Sequence, residues 1–328
     1  MRATTFIKRL WQLCLIVLLV TAATFVLSRL IPGDFFTLNQ LDPTISGETL
    51  AALRHRYSLD EPVAVQYFLW LKNLCRLDLG YSLLYRAPVR SVVVDAMLKT
   101  CCIGFPALMV GYLGGVILGS LHALYQGRLL GRLLDFLTGI ALSLPSLVLG
   151  LGALLLACHT GWFPLGGMNS ADLAAFTPWQ MLLDRLHHLI LPVSCLTVPI
   201  LISFERIQYS STGDTLKELH VRAAKARGLS RNRIFYQHLV RPSLNPTLSM
   251  LGPMSGVVLS GSLVLEVIFS WPGLGKITFD ALFSRDLFLL LGCVICSSIL
   301  LVLGNLAAEV LLSYMDPRVR ATENGGIQ

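Results

Sequence analysis

The chain has 328 residues, 54% hydrophobic and only 14% charged, with a formal net charge of +7 and a positive mean hydropathy. Too little polar surface is available to solvate an ordinary globule of this size, so the composition excludes a water-soluble domain and indicates an integral membrane protein.

Spanning hydrocarbon takes about 20 mostly apolar residues, since every backbone group must be satisfied within the helix. Six stretches qualify. The first, residues 10–30, follows Arg2, Lys8 and Arg9. It resembles the start of a secretory signal, but it is longer than a signal's apolar core and no clear small-residue cleavage site follows, so it reads as a retained helix closing a segment 1–31. Residues 32–96 form an amphipathic, mixed-charge stretch containing Arg54, Arg56, Asp60, Glu61, Asp78 and Arg86. It reads as an extracytoplasmic loop subdomain, helical over 47–56 and 63–74, with Glu61-Pro62 as a turn or helix start.

The second span, 97–124, contains Pro106 and repeats Gly111, Gly115 and Gly119 every fourth residue. The third, 134–158, carries Pro145, and the fourth, 189–209, carries Pro192 and Pro199. The fifth, 244–269, carries Pro253 and a second small-residue series, Gly252, Gly256 and Ser260. The sixth is 287–314. Kinked helices packed in a bundle are expected, with the glycine series as sites of close approach; sliding surfaces or a narrow path are the alternative reading. The five-helix membrane core thus covers 97–320, and 321–328 is a tail.

Lysine and arginine concentrate at the amino terminus, around Arg128 and Arg132, between Arg206 and Arg241, and at Arg318 and Arg320. Both termini and the 211–241 segment are therefore expected in the cytoplasm.

Among the eight cysteines, Cys14, Cys101, Cys102, Cys195, Cys293 and Cys296 sit inside spans and Cys75 alone lies well out in the outer loop, so no disulfide framework is implied. Cys293 and Cys296 lack acidic or histidine company. His187 and His188 point in different directions on a helix. No metal or other cofactor is expected.

The 211–241 segment is the least membrane-like part of the core. Thr215-Leu216-Lys217-Glu218 fits a capping box, predicting a helix from Leu216 through Ala223, Ala224 and Ala226 that ends at Gly228. Ser230 is placed to cap a second helix carrying Arg231, Arg233, Tyr236 and His238 before Pro242 and Pro246. A helix, glycine elbow, helix arrangement suits docking to a partner better than simple rest on anionic lipid.

Arg222-Ala223-Ala224-x-x-x-Gly228-Leu229-Ser230, with His238 and Pro246, resembles the EAA loop of ABC importer permeases, in particular the first permease of the dipeptide, oligopeptide and nickel class. Further matches run in order along the chain: Ile31-Pro32-Gly33-Asp34, Leu59-Asp60-Glu61-Pro62 with Gln66, Tyr67 and Trp70, and Asp78-Leu79-Gly80-Tyr81-Ser82. They continue with Ile190-Leu191-Pro192, Phe269-Ser270-Trp271-Pro272-Gly273-Leu274-Gly275 and Asp316-Pro317-Arg318-Val319-Arg320. Departures are Arg222 in place of the general motif's glutamate, Phe35 after Asp34, Ser146-Leu147 after Pro145, and Pro242 where asparagine is common.

The resemblance implies an all-α, six-helix type I (MetI-like) permease of the bacterial inner membrane, paired with a second homologous permease, two cytoplasmic ATP-binding subunits and an extracytoplasmic solute-binding protein. It assigns ATPase coupling to Arg222, Ala223, Ala224, Arg227, Gly228 and Leu229, and a pathway or gate to Glu266, Trp271, Pro272 and Gly273. For Glu266 two readings stand: a gate or contact for a peptide amine, or a structural acid anchoring the Trp271 turn. Di- or oligopeptides are the expected substrate, with nickel, a metal chelate or cationic peptides as alternatives. The chain has no phosphate-binding Gly-rich loop, so ATP is expected on partner subunits, and no nucleic-acid partner is expected. An intramembrane enzyme would need converging catalytic groups, and a secondary carrier would not need a docking elbow.

Overall fold

The computed structural model describes residues 3–30, 61–170 and 176–315. The Ile31 to Asp34, Leu59-Asp60 and Asp316 to Arg320 motifs lie outside them, as do the helix expected over 47–56 and Phe35. The helices in chain order are α1 (Ala3–Leu30), α2 (Val63–Leu74), α3 (Val89–Leu124), α4 (Leu129–Ser143), α5 (Ser146–Thr160), α6 (Pro178–Thr215) and α7 (Leu219–Ala226). There follow α8 (Arg231–Arg233), a π-helical stretch Ile234–Val240, α9 (Arg241–Ser243), α10 (Asn245–Ser249), α11 (Leu251–Ile268), α12 (Leu274–Ser284) and α13 (Leu287–Met315). Two-residue strands β1 (Tyr81–Ser82) and β2 (Ala87–Pro88) pair antiparallel. The fold is helical and dominated by long apolar helices, as expected; the hairpin is an addition to the all-α reading.

Four helices, α3, α6, α11 and α13, are each long and apolar enough to cross a membrane, and the α4–α5 pair qualifies together. In α1 the apolar stretch is Cys14–Ser28. The α4–α5 pair corrects the expectation of a single kinked third span, because its halves meet at 98°. Each half has 15 residues, about 22 Å, so neither crosses the hydrocarbon alone. The cause is local. Pro145 has no N–H, and its ring forces Leu144 into extended backbone (φ −92°, ψ 113°). A sequence shows the proline, but whether neighbouring helices restore the lost bonds is decided by packing.

The chain divides into two compact units. The first comprises residues 1–100 and 272–300. In it α2 lies against α1: the Tyr67 ring stacks on Trp70 with centroids 5.9 Å apart and tilts against Phe25 at 5.4 Å, while its hydroxyl lies 3.0 Å from Thr21 Oγ1. This explains the Gln66, Tyr67 and Trp70 set as one buried face of α2. Nearby, Asp78 Oδ1 accepts the Gly80 N–H at 2.9 Å, forming the turn into β1. Buried Asp286, just ahead of α13, accepts from Ser82 Oγ at 2.8 Å, from Leu84 N at 3.1 Å and from Leu289 N at 3.2 Å. A single carboxylate thus caps a span and holds the hairpin.

The second unit comprises 101–271 and 301–328. Its core gathers Ile103, Leu196, Ile200, Phe204, Leu265 and Trp271. The glycine series in α3 faces α6. A Cβ on Gly111 would lie 2.6 Å from Ile200 Cγ2, one on Gly115 2.5 Å from Phe204 Cβ, and one on Gly119 would meet the Glu205 carbonyl. In α11, Gly252 similarly abuts Asn305, and Gly256 abuts Leu301 of α13. Close packing is therefore what these residues provide.

The fourth span is longer than the apolar stretch suggested, with 38 residues, about 57 Å. Its start is set by a complete capping box: Gln180 N donates to Thr177 Oγ1, Thr177 N donates to Gln180 Oε1, and Pro178 occupies the first turn. On α6, His187 Nε2 donates to the Trp162 carbonyl and His188 Nδ1 to that of Asp184, each at 2.8 Å, so the two rings diverge into positioning bonds.

Candidate functional site: the elbow between α6 and α11

α6 runs on to Thr215, whose hydroxyl donates back to the Ser211 carbonyl at 2.8 Å. The capping box expected at Thr215 and Glu218 is therefore not formed, because Thr215 still belongs to the preceding helix. Glu218 is the N-cap of α7 by position, without a side-chain cap bond. α7 has only 8 residues, too few to persist alone in water. It is held at both ends by the rest of the elbow. His220 Nε2 donates to the His238 carbonyl in the π stretch at 3.0 Å. At the other end Gly228 takes φ +71°, its N–H donating to Lys225 O at 3.0 Å and Leu229 N–H to Ala224 O at 3.3 Å. This pair of bonds is a Schellman cap, and it realises the glycine stop read from the sequence.

The residues expected to couple divide by face. Val221 and Ala224 are fully buried, where α7 packs on the π stretch. Arg222, Ala223, Lys225, Ala226, Arg227 and Gly228 are exposed. Ala224 therefore supports the elbow from within, and Arg222, Ala223 and Arg227 form the outward surface. Leu229 is half-buried and lines a cleft of about 760 Å³ with Leu121, Tyr125, Lys225, Phe235 and Leu239. Ser230 stands at the N-cap of α8 but makes no capping bond through its side chain. The second helix of the elbow opens into π geometry before Pro242, with Arg241 N–H donating to Tyr236 O five residues back.

Beneath the elbow lies a polar cluster that sequence reading missed. His122 Nδ1 pairs with Glu205 Oε1 at 2.6 Å, its Nε2 lies 3.2 Å from Asp135 Oδ1, and its ring stacks on Tyr209 at 4.2 Å. One turn on, buried Gln208 meets Ser120, Thr212, Ser243 and Thr247. Glu205 could have been found, since an acid inside the apolar fourth span is itself a functional signal. The others are scattered over five helices and carry no local signature. Removing one member of a buried hydrogen-bonded pair leaves the other unsatisfied, so Glu205→Ala is expected to destabilise by about 1–3 kcal/mol. Replacing both, as His122→Phe with Glu205→Leu, is expected to cost less than that single change. Thermal unfolding of the purified protein in detergent measures both.

The proposed gate residues are enclosed. Glu266 and Trp271 are fully buried, and the Glu266 carbonyl accepts the Trp271 N–H at 2.8 Å around Ser270, whose φ is +49°. Gly273 is the N-cap of α12, and Pro272 is half-buried. The bond uses the backbone carbonyl of Glu266, so it shapes the turn after α11 without drawing on the carboxylate, and both readings of that side chain stand.

Residues 115–321 match the family described as binding-protein-dependent transport system inner membrane component, and residues 3–103 match its N-terminal counterpart. The chain belongs to that family. This permease is 32% identical over 319 residues to the oligopeptide transport system permease protein AppB of Bacillus subtilis, covering 97% of this chain and 99% of that one. It is 31% identical to the oligopeptide permease OppB of Haemophilus influenzae, covering 95% and 98%. It is 29% identical to the glutathione permease GsiC of Salmonella typhimurium, covering 96% and 98%. The permease is thus a multi-pass inner membrane component of a binding-protein-dependent transport system, and its elbow falls within the matched region.

Proposed function

We propose that this permease is one of two homologous membrane subunits of an ATP-driven importer for di- or oligopeptides. Two cytoplasmic ATPases grip the elbows, and an extracytoplasmic binding protein delivers the substrate. Both termini and the elbow lie in the cytoplasm, consistent with the basic residues clustered there. ATP is bound and hydrolysed on the partner subunits. When the ATPases close, they displace α7, and the connected spans rock the path between inward-open and outward-open states.

The observation that carries this reading is the α7 elbow itself. It is a short helix whose inner face is packed, whose end is fixed by Gly228, and whose outer face presents Arg222, Ala223 and Arg227. The substrate class rests on the names of the relatives, which are peptide and glutathione permeases. Metal-chelate uptake would use the same machinery. Purifying the cognate binding protein and identifying its retained ligand by mass spectrometry tests the substrate: peptide is expected, and a metal chelate without peptide overturns it. Transport by a purified complex that contains no ATPase would overturn the mechanism.

A further inference from the structure

The elbow leaves and re-enters the bundle through two stems, the last turn of α6 and the α9–α10 segment. Both converge on Gln208, which is fully buried in the second unit. Its Nε2 lies 2.8 Å from Ser243 Oγ, 3.0 Å from Thr212 Oγ1 and 3.2 Å from Ser120 Oγ of α3. Its Oε1 accepts from Thr247 Oγ1 at 2.9 Å. The stems also touch directly, with Ser211 Oγ donating to the Ser243 carbonyl at 2.9 Å.

The proton inventory gives this cluster its character. Ser243 Oγ donates its proton to Val240 O at 2.9 Å, so it faces Gln208 as an acceptor, which fixes the amide nitrogen on that side. The nitrogen has two N–H bonds for three hydroxyl oxygens, and the Thr247 proton is contested between Gln208 Oε1 and Leu244 O, both at 2.9 Å. Exchanging one hydroxyl partner for another costs little, whereas leaving the buried amide with none costs its full desolvation. Such a clamp holds through small displacements of its parts.

We propose that Gln208 is the positioning residue that clamps the two stems of the elbow to each other and to α3, so that displacement of α7 moves α6 and α11 instead of being absorbed in the loop. The inference rests on the reading of the elbow as the ATPase docking site. A stem pair without this clamp would let α7 tilt alone, and ATP would be hydrolysed without moving the spans.

The test uses the whole complex, with both permeases, the two ATPases and the loaded binding protein, reconstituted in liposomes. Gln208→Met keeps length and removes both polar ends. It is expected to assemble and hydrolyse ATP at the basal rate, while substrate transported per ATP falls about tenfold. Ser120→Ala, which removes one of three interchangeable acceptors, is expected to stay within about twofold of the unaltered chain. Should Gln208→Met fail to assemble, Thr212→Val with Thr247→Val removes one partner from each stem and is expected to lower the ratio about threefold. The proposal is overturned if whichever of Gln208→Met and the Thr212→Val, Thr247→Val pair assembles keeps the unaltered transport-to-ATP ratio, or loses transport and hydrolysis in proportion. Absence of ATPase from the unaltered complex would instead overturn the docking reading itself.

Discussion

Gly228→Pro is expected to leave the permease in the membrane at near-normal abundance and to reduce ATP-driven transport below about a tenth, because the elbow cannot close without glycine's backbone freedom. Proline is locked near φ −65° and has no N–H, whereas Gly228 stands at +71° and donates to Lys225 O. Both bonds of the Schellman cap depend on that dihedral. With the cap gone, the 8 residues of α7 are released at their carboxyl end, and the Arg222, Ala223 and Arg227 surface frays. The effect is one of backbone conformation and not of bulk, since a Cβ at this position would meet nothing within 4 Å. Gly228→Asn, which tolerates the left-handed region, is therefore expected to retain most transport. Uptake assays on membranes matched for permease content distinguish the two variants.

Gly115→Leu is expected to act on the fold. An added Cβ would sit 2.5 Å from Phe204 Cβ, 2.7 Å from Leu201 O and 2.9 Å from Glu205 N. Two of those three atoms are backbone, so α3 and α6 must separate. Overpacking by a methylene or two commonly costs about 1–3 kcal/mol, and here the whole isobutyl group has nowhere to go. Separation would also draw His122 away from Glu205 and Ser120 away from Gln208, so the loss spreads to the base of the elbow. Most of the variant is expected to aggregate on extraction, read as loss of the monodisperse peak in detergent chromatography. Gly139→Leu and Gly152→Leu, where a Cβ would meet nothing within 4 Å, are expected to behave normally and serve as controls.

The contrast among these glycines shows where sequence reading succeeds and where it stops. Apolar length identified α3, α6, α11 and α13 as spans, because hydrocarbon imposes it directly. Gly228 was legible because a helix end needs a left-handed residue. The helix over 63–74 was legible because Pro62 and the following apolar residues set its start and face. Thr215 misled, since four residues that spell a capping box do so only if the preceding helix has already ended, and α6 had not. The same signature at Thr177 to Gln180 was real and extended α6 beyond its apolar stretch. Ala223 and Ala224 are alike in sequence, yet packing on the π stretch buries one and exposes the other. The Gln208 cluster draws its members from positions 120 to 247, so only the folded chain brings them together.

The central claim is that ATPases engage the outer face of α7. A photo-activatable residue placed at Ala223 or Arg227 in the assembled complex tests it most directly, with Trp162, 71% exposed in the loop after α5, as the reference position. Adducts with an ATP-hydrolysing subunit are expected from Ala223 and Arg227 and not from Trp162. Adducts with that subunit from Trp162, and none from the elbow, would contradict the account.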